Sequence, residues 1–170
     1  MIFYLLLPVF SLLLLTIQTT LFDILFFGKA GLEISLILVV YAGFHLSLAR
    51  GGILSFILGF FLDCITGVMP GFFVLNYMLI FSISKAVSFK VYGGGMIFTA
   101  SFTFICALFG KLLIVLMYEV LYGVNVFYDI LNISFFQAVI TGVSAPAFFI
   151  LFHRFEVLLN VWEARSPDRL

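Results

Sequence analysis

Two ionisable residues stand in stretches that otherwise contain almost nothing polar. Asp63 lies in the run GGILSFILGFFLDCITG and Lys111 in FTFICALFGKLLIVLM. Charged groups at membrane depth are costly and call for a partner or a use. Counting along each apolar stretch from its inner end puts Asp63 about 17 Å deep and Lys111 about 22 Å deep. The depths agree to within a side-chain length, so a buried Asp63–Lys111 pair is the least costly way to hold both groups. Gln18 and Asn76 fall at comparable depth in the outer half, which would put Asp63, Lys111, Gln18 and Asn76 in one interior layer. Small residues share the helical face of Asp63: Gly52, Ser55 and Gly59 precede it at helical spacing. Such residues let a neighbouring helix approach closely, so this face is expected to point inward.

A polar layer of this kind has two readings. It is a proton relay or a ligand pocket, or it is a hydrogen-bonded clamp that fixes helix order. The layer has one acid, one amine and no mid-span histidine, which favours the clamp. Other reactive arrangements are missing. The chain has no HExxH for zinc, and Gly142-Val143-Ser144-Ala145 lacks the final glycine of a nucleophile elbow. Tyr92-Gly93-Gly94-Gly95 is not followed by Lys-Ser or Lys-Thr, so it is read as a flexible turn instead of a phosphate loop. Cys64 and Cys106 have neither a CxxC partner nor a histidine at ligand spacing and read as small buried hydrophobes. No enzyme, metal or cofactor is expected.

The elements that must position these residues follow from composition. With 65% hydrophobic and 9% charged residues, the chain cannot build a water-facing surface. Lipid is the expected solvent, and the continuous apolar runs argue against a β-barrel. A crossing takes roughly 20 residues. Spans are placed at Ile2–Phe22, Glu33–Ala49, Gly52–Gly67, Gly71–Phe89, Met96–Leu116 and Ile133–Phe152, making an all-α integral membrane protein of six transmembrane helices over residues 1–152. The first run lacks a basic n-region and an AxA site and is read as a retained span. Turns are expected at FGKAG, at Arg50-Gly51-Gly52, at Met69-Pro70-Gly71 and at Tyr92–Gly95.

With both termini cytoplasmic, Arg50, Lys85, Lys90, Arg154, Arg165 and Arg169 fall inside and Lys29 alone outside, a clear positive-inside bias. The outer connection EVLYGVNVFYDILN carries only acids, which agrees. The zero net charge offers no electrostatic case for nucleic acid. After Phe152, a short tail (residues 153–170) repeats Phe155, Leu158, Leu159 and Trp162 as one apolar stripe. That stripe suits a helix lying along the inner interface with Trp162 as anchor, or one docking on a cytoplasmic partner.

The stretch from Gly51 to Asp63, followed by Gly67 and then Pro70-Gly71, resembles the most recognisable part of the MreD family, the rod shape-determining membrane proteins. Pro8 and Gln18 resemble that family's opening, and Pro146, Phe148 and Arg154 its last span. Leu32-Glu33 departs from the family's Pro-Asp or Pro-Glu and keeps only the acid, and Lys111 has no place in the pattern. The resemblance implies a non-catalytic inner-membrane scaffold subunit of the cell-elongation machinery. It implies MreC as a direct partner, with MreB, RodA and a class B penicillin-binding protein contacted indirectly. It also implies a fold similar to the substrate-binding subunit of energy-coupling-factor transporters. The alternative is such a subunit itself, with Asp63, Lys111, Gln18 and Asn76 holding a vitamin-like ligand. The outer loops expected here are mostly apolar, which favours the scaffold.

Overall fold

The computed structural model describes residues 33–67, 70–90, 95–122 and 127–165. These form five helices: α1 (Ile34–His45), α2 (Leu48–Thr66), α3 (Phe72–Ser88), α4 (Met96–Tyr122) and α5 (Phe127–Arg165). The expected first span and Gln18 lie outside the described residues. α2 and α3 form one antiparallel hairpin and α4 and α5 another, while α1 packs against all four. Every residue of α1 from Ile34 to Gly43 is buried. Such a helix, apolar on all sides, has no face to offer water or lipid and belongs in the middle of a bundle.

The surrounding helices are built the opposite way from those of a water-soluble domain. On α2 the buried stripe is Gly51, Leu54, Ser55, Leu58, Gly59, Leu62 and Asp63, at the spacing of one helix face. The opposite face exposes Ile53, Phe56, Phe60 and Ile65. α3 buries Asn76 and Ser84 while exposing Leu75, Met78, Leu79 and Ile83. α4 and α5 repeat the pattern with Thr103 and Thr141 inside, and with Ile105, Leu112, Phe136 and Val143 outside. Polar groups inside and large apolar groups outside mean that the outer solvent is hydrocarbon. Three helical stretches, Leu48–Thr66, Ile97–Met117 and Phe135–Arg154, are long and apolar enough to cross a membrane.

Several expected boundaries move. The sequence places the second span over Glu33–Ala49, but α1 ends at His45 and the chain turns at Leu46 and Ser47. Arg50, Gly51 and Gly52 are therefore not a turn; they lie in the first turns of α2. The glycine at position 51 is there for packing. A Cβ on it would run into the ring of Phe81 on α3 and lie 3.2 Å from the Ala42 carbonyl oxygen of α1. At 12 residues, α1 is about 18 Å long and cannot cross about 30 Å of hydrocarbon as a straight helix.

The outer connection expected from Glu119 to Asn132 is largely helical, since α4 continues to Tyr122 and α5 begins at Phe127. At its other end α5 runs on to Arg165, through the positions of Phe155, Leu158, Leu159 and Trp162. The segment expected as a separate tail is thus a continuation of the last helix; the side chains of those four residues lie outside the described ones. Tyr92-Gly93-Gly94 also falls outside the description.

Candidate functional site

Asp63 sits one turn before the end of α2, 8% exposed. α2 closes at Gly67, whose left-handed conformation (φ 60°) directs its N–H to the Asp63 carbonyl at 3.0 Å. The chain returns through Pro70 and Gly71, also left-handed (φ 89°), and α3 begins. The first N–H groups of any helix lack intrahelical acceptors, and Gly71 at the cap position has no side chain to supply one. Asp63 supplies it from the neighbouring helix. Its Oδ1 accepts the Phe73 N–H at 3.0 Å and its Oδ2 the Val74 N–H at 3.2 Å. The carboxylate also faces the positive end of the α3 dipole, a favourable place for negative charge.

Gly59, one turn earlier on α2, makes the approach close enough. A Cβ there would lie 2.6 Å from the Val74 Cα and 2.8 Å from the Phe73 carbonyl oxygen. Ser55, a further turn back, is fully buried and donates to the Gly51 carbonyl at 2.8 Å. Gly52 lies at the margin of this face, where an added Cβ would meet only the Phe81 ring at 3.8 Å. The Gly59, Asp63, Gly67, Gly71 series, spaced by four, is therefore one device. It brings two helices into backbone contact, caps the second and closes the turn between them.

Lys111 does not meet Asp63. Among the described residues α2 and α4 do not pack against each other, because α3 and α1 lie between them. Lys111 instead forms an ion pair with Glu33, the residue heading α1. Both side chains are 22% exposed. The Glu33 backbone N–H points to Thr141 Oγ1 on α5 at 3.5 Å, and that hydroxyl donates to the Gln137 carbonyl at 2.8 Å. Next to this, Ser35 Oγ and Tyr77 Oη share a buried hydrogen bond of 2.7 Å between α1 and α3. Asn76, 3% exposed, sits against α4, its Nδ2 being 3.1 Å from where a Gly110 Cβ would lie. Its Oδ1 is buried and has no hydrogen-bond partner among the described residues.

Polar groups from α1, α3, α4 and α5 thus gather around the head of α1, and Asp63 serves the adjacent hairpin turn. The expected layer separates into these two constructions. The sequence reading misses Glu33, Ser35, Tyr77 and Thr141. A signal for Glu33 is available: it heads an apolar run too short for a comfortable span, which draws the acid towards membrane depth. The chemistry on hand is that of acceptors and donors tied to one another. Among the described residues no three His, Cys, Asp or Glu side chains converge as a metal site would need.

The opposite end of the bundle is basic. His45 ends α1, Arg50 lies in the first turn of α2, Lys85 in the last turn of α3, and His153 and Arg154 on α5 reach the same level. Lys85 Nζ donates to the Leu46 carbonyl at 2.7 Å, and the His45 and His153 ring centroids are 6.1 Å apart. Tyr41 stacks on His45 at 4.4 Å and meets Phe149 edge-on at 5.2 Å, joining α1 to α5 just above.

Buried polar clamps, lipid-compatible outer faces and basic residues concentrated at one end are the organisation expected of a multi-pass helical membrane protein. In comparisons with protein-family models, characterised proteins and solved structures, none matches this chain.

Proposed function

We propose that this protein is a non-catalytic scaffold subunit of a bacterial inner membrane, acting in cell elongation as the MreD family does. In this reading the chain passes through the bilayer six times with both termini in the cytoplasm, Ile2–Phe22 forming the first span, and the short α1, packed against the other four described helices, covers only part of the thickness. It binds MreC directly and helps to position the peptidoglycan-synthesis enzymes, with MreB, RodA and a class B penicillin-binding protein as indirect partners.

The observation that carries this reading is where the chemistry of the resembling segment goes. Both Asp63 oxygens accept backbone N–H groups of α3, and Gly59 seats the α3 backbone. The most distinctive residues of the chain are thus used to hold its own helices together, and partners are left the outer helix faces. Among the described residues Arg50, Lys85, Lys90 and Arg154 gather at one end and Lys111 lies towards the other, which supports the cytoplasmic assignment of the basic end.

Purification of the tagged protein in mild detergent tests the proposal. Recovery of MreC at near-stoichiometric yield is expected, and its absence from a preparation that retains the folded bundle refutes the reading. A second reading, a substrate-binding subunit of the energy-coupling-factor type, is favoured by one feature, the buried Oδ1 of Asn76, which has no partner among the described residues. Co-purification of a vitamin-like molecule with a pair of ABC-type ATPases would replace the first reading with this one.

A further inference from the structure

We infer that the basic end of the bundle is a binding site for the phosphate headgroup of an anionic phospholipid. The site is centred on the α1–α2 turn and formed by His45, Arg50, Lys85, His153 and Arg154. It depends on the chain's residing in a membrane and not on the scaffold assignment.

Several elements converge there. Lys85 reaches across from α3 to the Leu46 carbonyl, which fixes its ammonium beside the α1–α2 turn. Ser88, on the same helix, donates to the Phe44 carbonyl at 3.3 Å and ties the same two segments together. Arg50 lies within one turn of Ser47 on α2, and the His45–His153 contact brings α5 to the same place. Each of the five side chains keeps exposed or half-exposed surface. Glu33, Asp63 and Glu119 lie towards the other end of the bundle, while α5 carries Glu156 and Glu163 beyond Arg154. Glu33 is a full α1 length away, about 18 Å.

What surrounds the cluster selects a lipid over a free anion. Leu48 is 67% and Phe89 77% exposed, and Ile150 and Leu151, shortly before His153, are exposed as well. Lys85 also lies over the Phe89 ring, 5.6 Å from its centroid. Charged donors at a helix end, bordered by large apolar side chains on the outer faces, match a molecule with a phosphate above and acyl chains below. Basic clusters between helices at the cytoplasmic side are a recognised way of holding acidic headgroups.

The purified full-length protein in neutral detergent is titrated with phosphatidylglycerol, with phosphatidylcholine and with inorganic phosphate. Thermal unfolding and native mass spectrometry are read in parallel. Phosphatidylglycerol is expected to raise Tm and to remain as an adduct, whereas the other two leave Tm unchanged. Arg154→Gln, at an exposed position, is expected to weaken phosphatidylglycerol binding about fivefold, the effect of one charge removed. The Tm of this variant in phosphatidylcholine should stay at the parent value, which separates lost binding from lost folding. Equal retention of both lipids overturns the inference. So does stabilisation by inorganic phosphate alone, or an Arg154→Gln variant that binds phosphatidylglycerol as the parent does.

Discussion

Replacing Asp63 with alanine removes both acceptors that Phe73 and Val74 use in the first turn of α3. These N–H groups occupy the second and third helical positions, which a cap side chain normally serves. A hydrogen bond to a charged acceptor contributes about 1.5–3 kcal/mol, and a single lost cap in water costs about 1 kcal/mol. For two such bonds at a nearly buried carboxylate, the expected loss is about 3 kcal/mol. An asparagine side chain has one oxygen where aspartate has two, and can serve only one of the N–H groups. Asp63→Asn should therefore cost about half as much. The assay is reversible unfolding in mixed micelles, raising the SDS mole fraction and following helicity by circular dichroism.

The decisive variant is the double mutant Asp63→Ala with Lys111→Met. If Asp63 caps α3 and Lys111 pairs with Glu33, the second substitution recovers nothing and adds its own cost. Recovery of most of the lost stability would mean that the two charges face each other, and the cap assignment would be wrong. A loss below about 0.5 kcal/mol for Asp63→Ala would refute it equally, since that is the level of an ordinary surface substitution.

Other outcomes follow from the same geometry. Glu33→Gln and Lys111→Met should show a coupling of about 1–2 kcal/mol in a double-mutant cycle, between the values for exposed and buried pairs, whereas Asp63 and Lys111 should show none. Gly59→Leu should prevent α2 from closing on α3, because the obstructing atoms are backbone. A loss of at least about 2 kcal/mol, or failure to accumulate in the membrane, is the expected reading. Cys64, read from the sequence as buried but exposed near the end of α2, should react with a membrane-impermeant maleimide on spheroplasts, while buried Cys106 stays unmodified until the protein is denatured. Labelling of Cys64 only after lysis would invert the proposed orientation. Ser35→Ala leaves the Tyr77 hydroxyl without its 2.7 Å partner and should cost about 1–3 kcal/mol by the same unfolding assay.

Much of this protein is decided by one-dimensional information. Long continuous apolar runs dictate helices, and the lack of charge dictates a lipid solvent. Serine and glycine at spacings of four mark the side of α2 that meets its neighbour. The positions of Arg50, Lys85 and Arg154 along the chain already assign them to one end. Depth is of the same kind, since each residue adds a fixed rise, and Asp63 and Lys111 both lie towards the end of the bundle where α1 begins. What the chain alone does not carry is azimuth, meaning which helix stands beside which.

Several helices present polar groups towards that end, and only packing decides their pairing. α2 and α4 do not touch, so Asp63 turns to the bare first turn of α3 and Lys111 to Glu33. The same holds for Gly51, whose flexibility suggests a turn until Phe81 and Ala42 are seen to occupy the space a side chain would need. Helices, solvent and charge asymmetry come from local composition, which every segment carries by itself. Partners come from the order in which helices surround α1, a property of the whole chain.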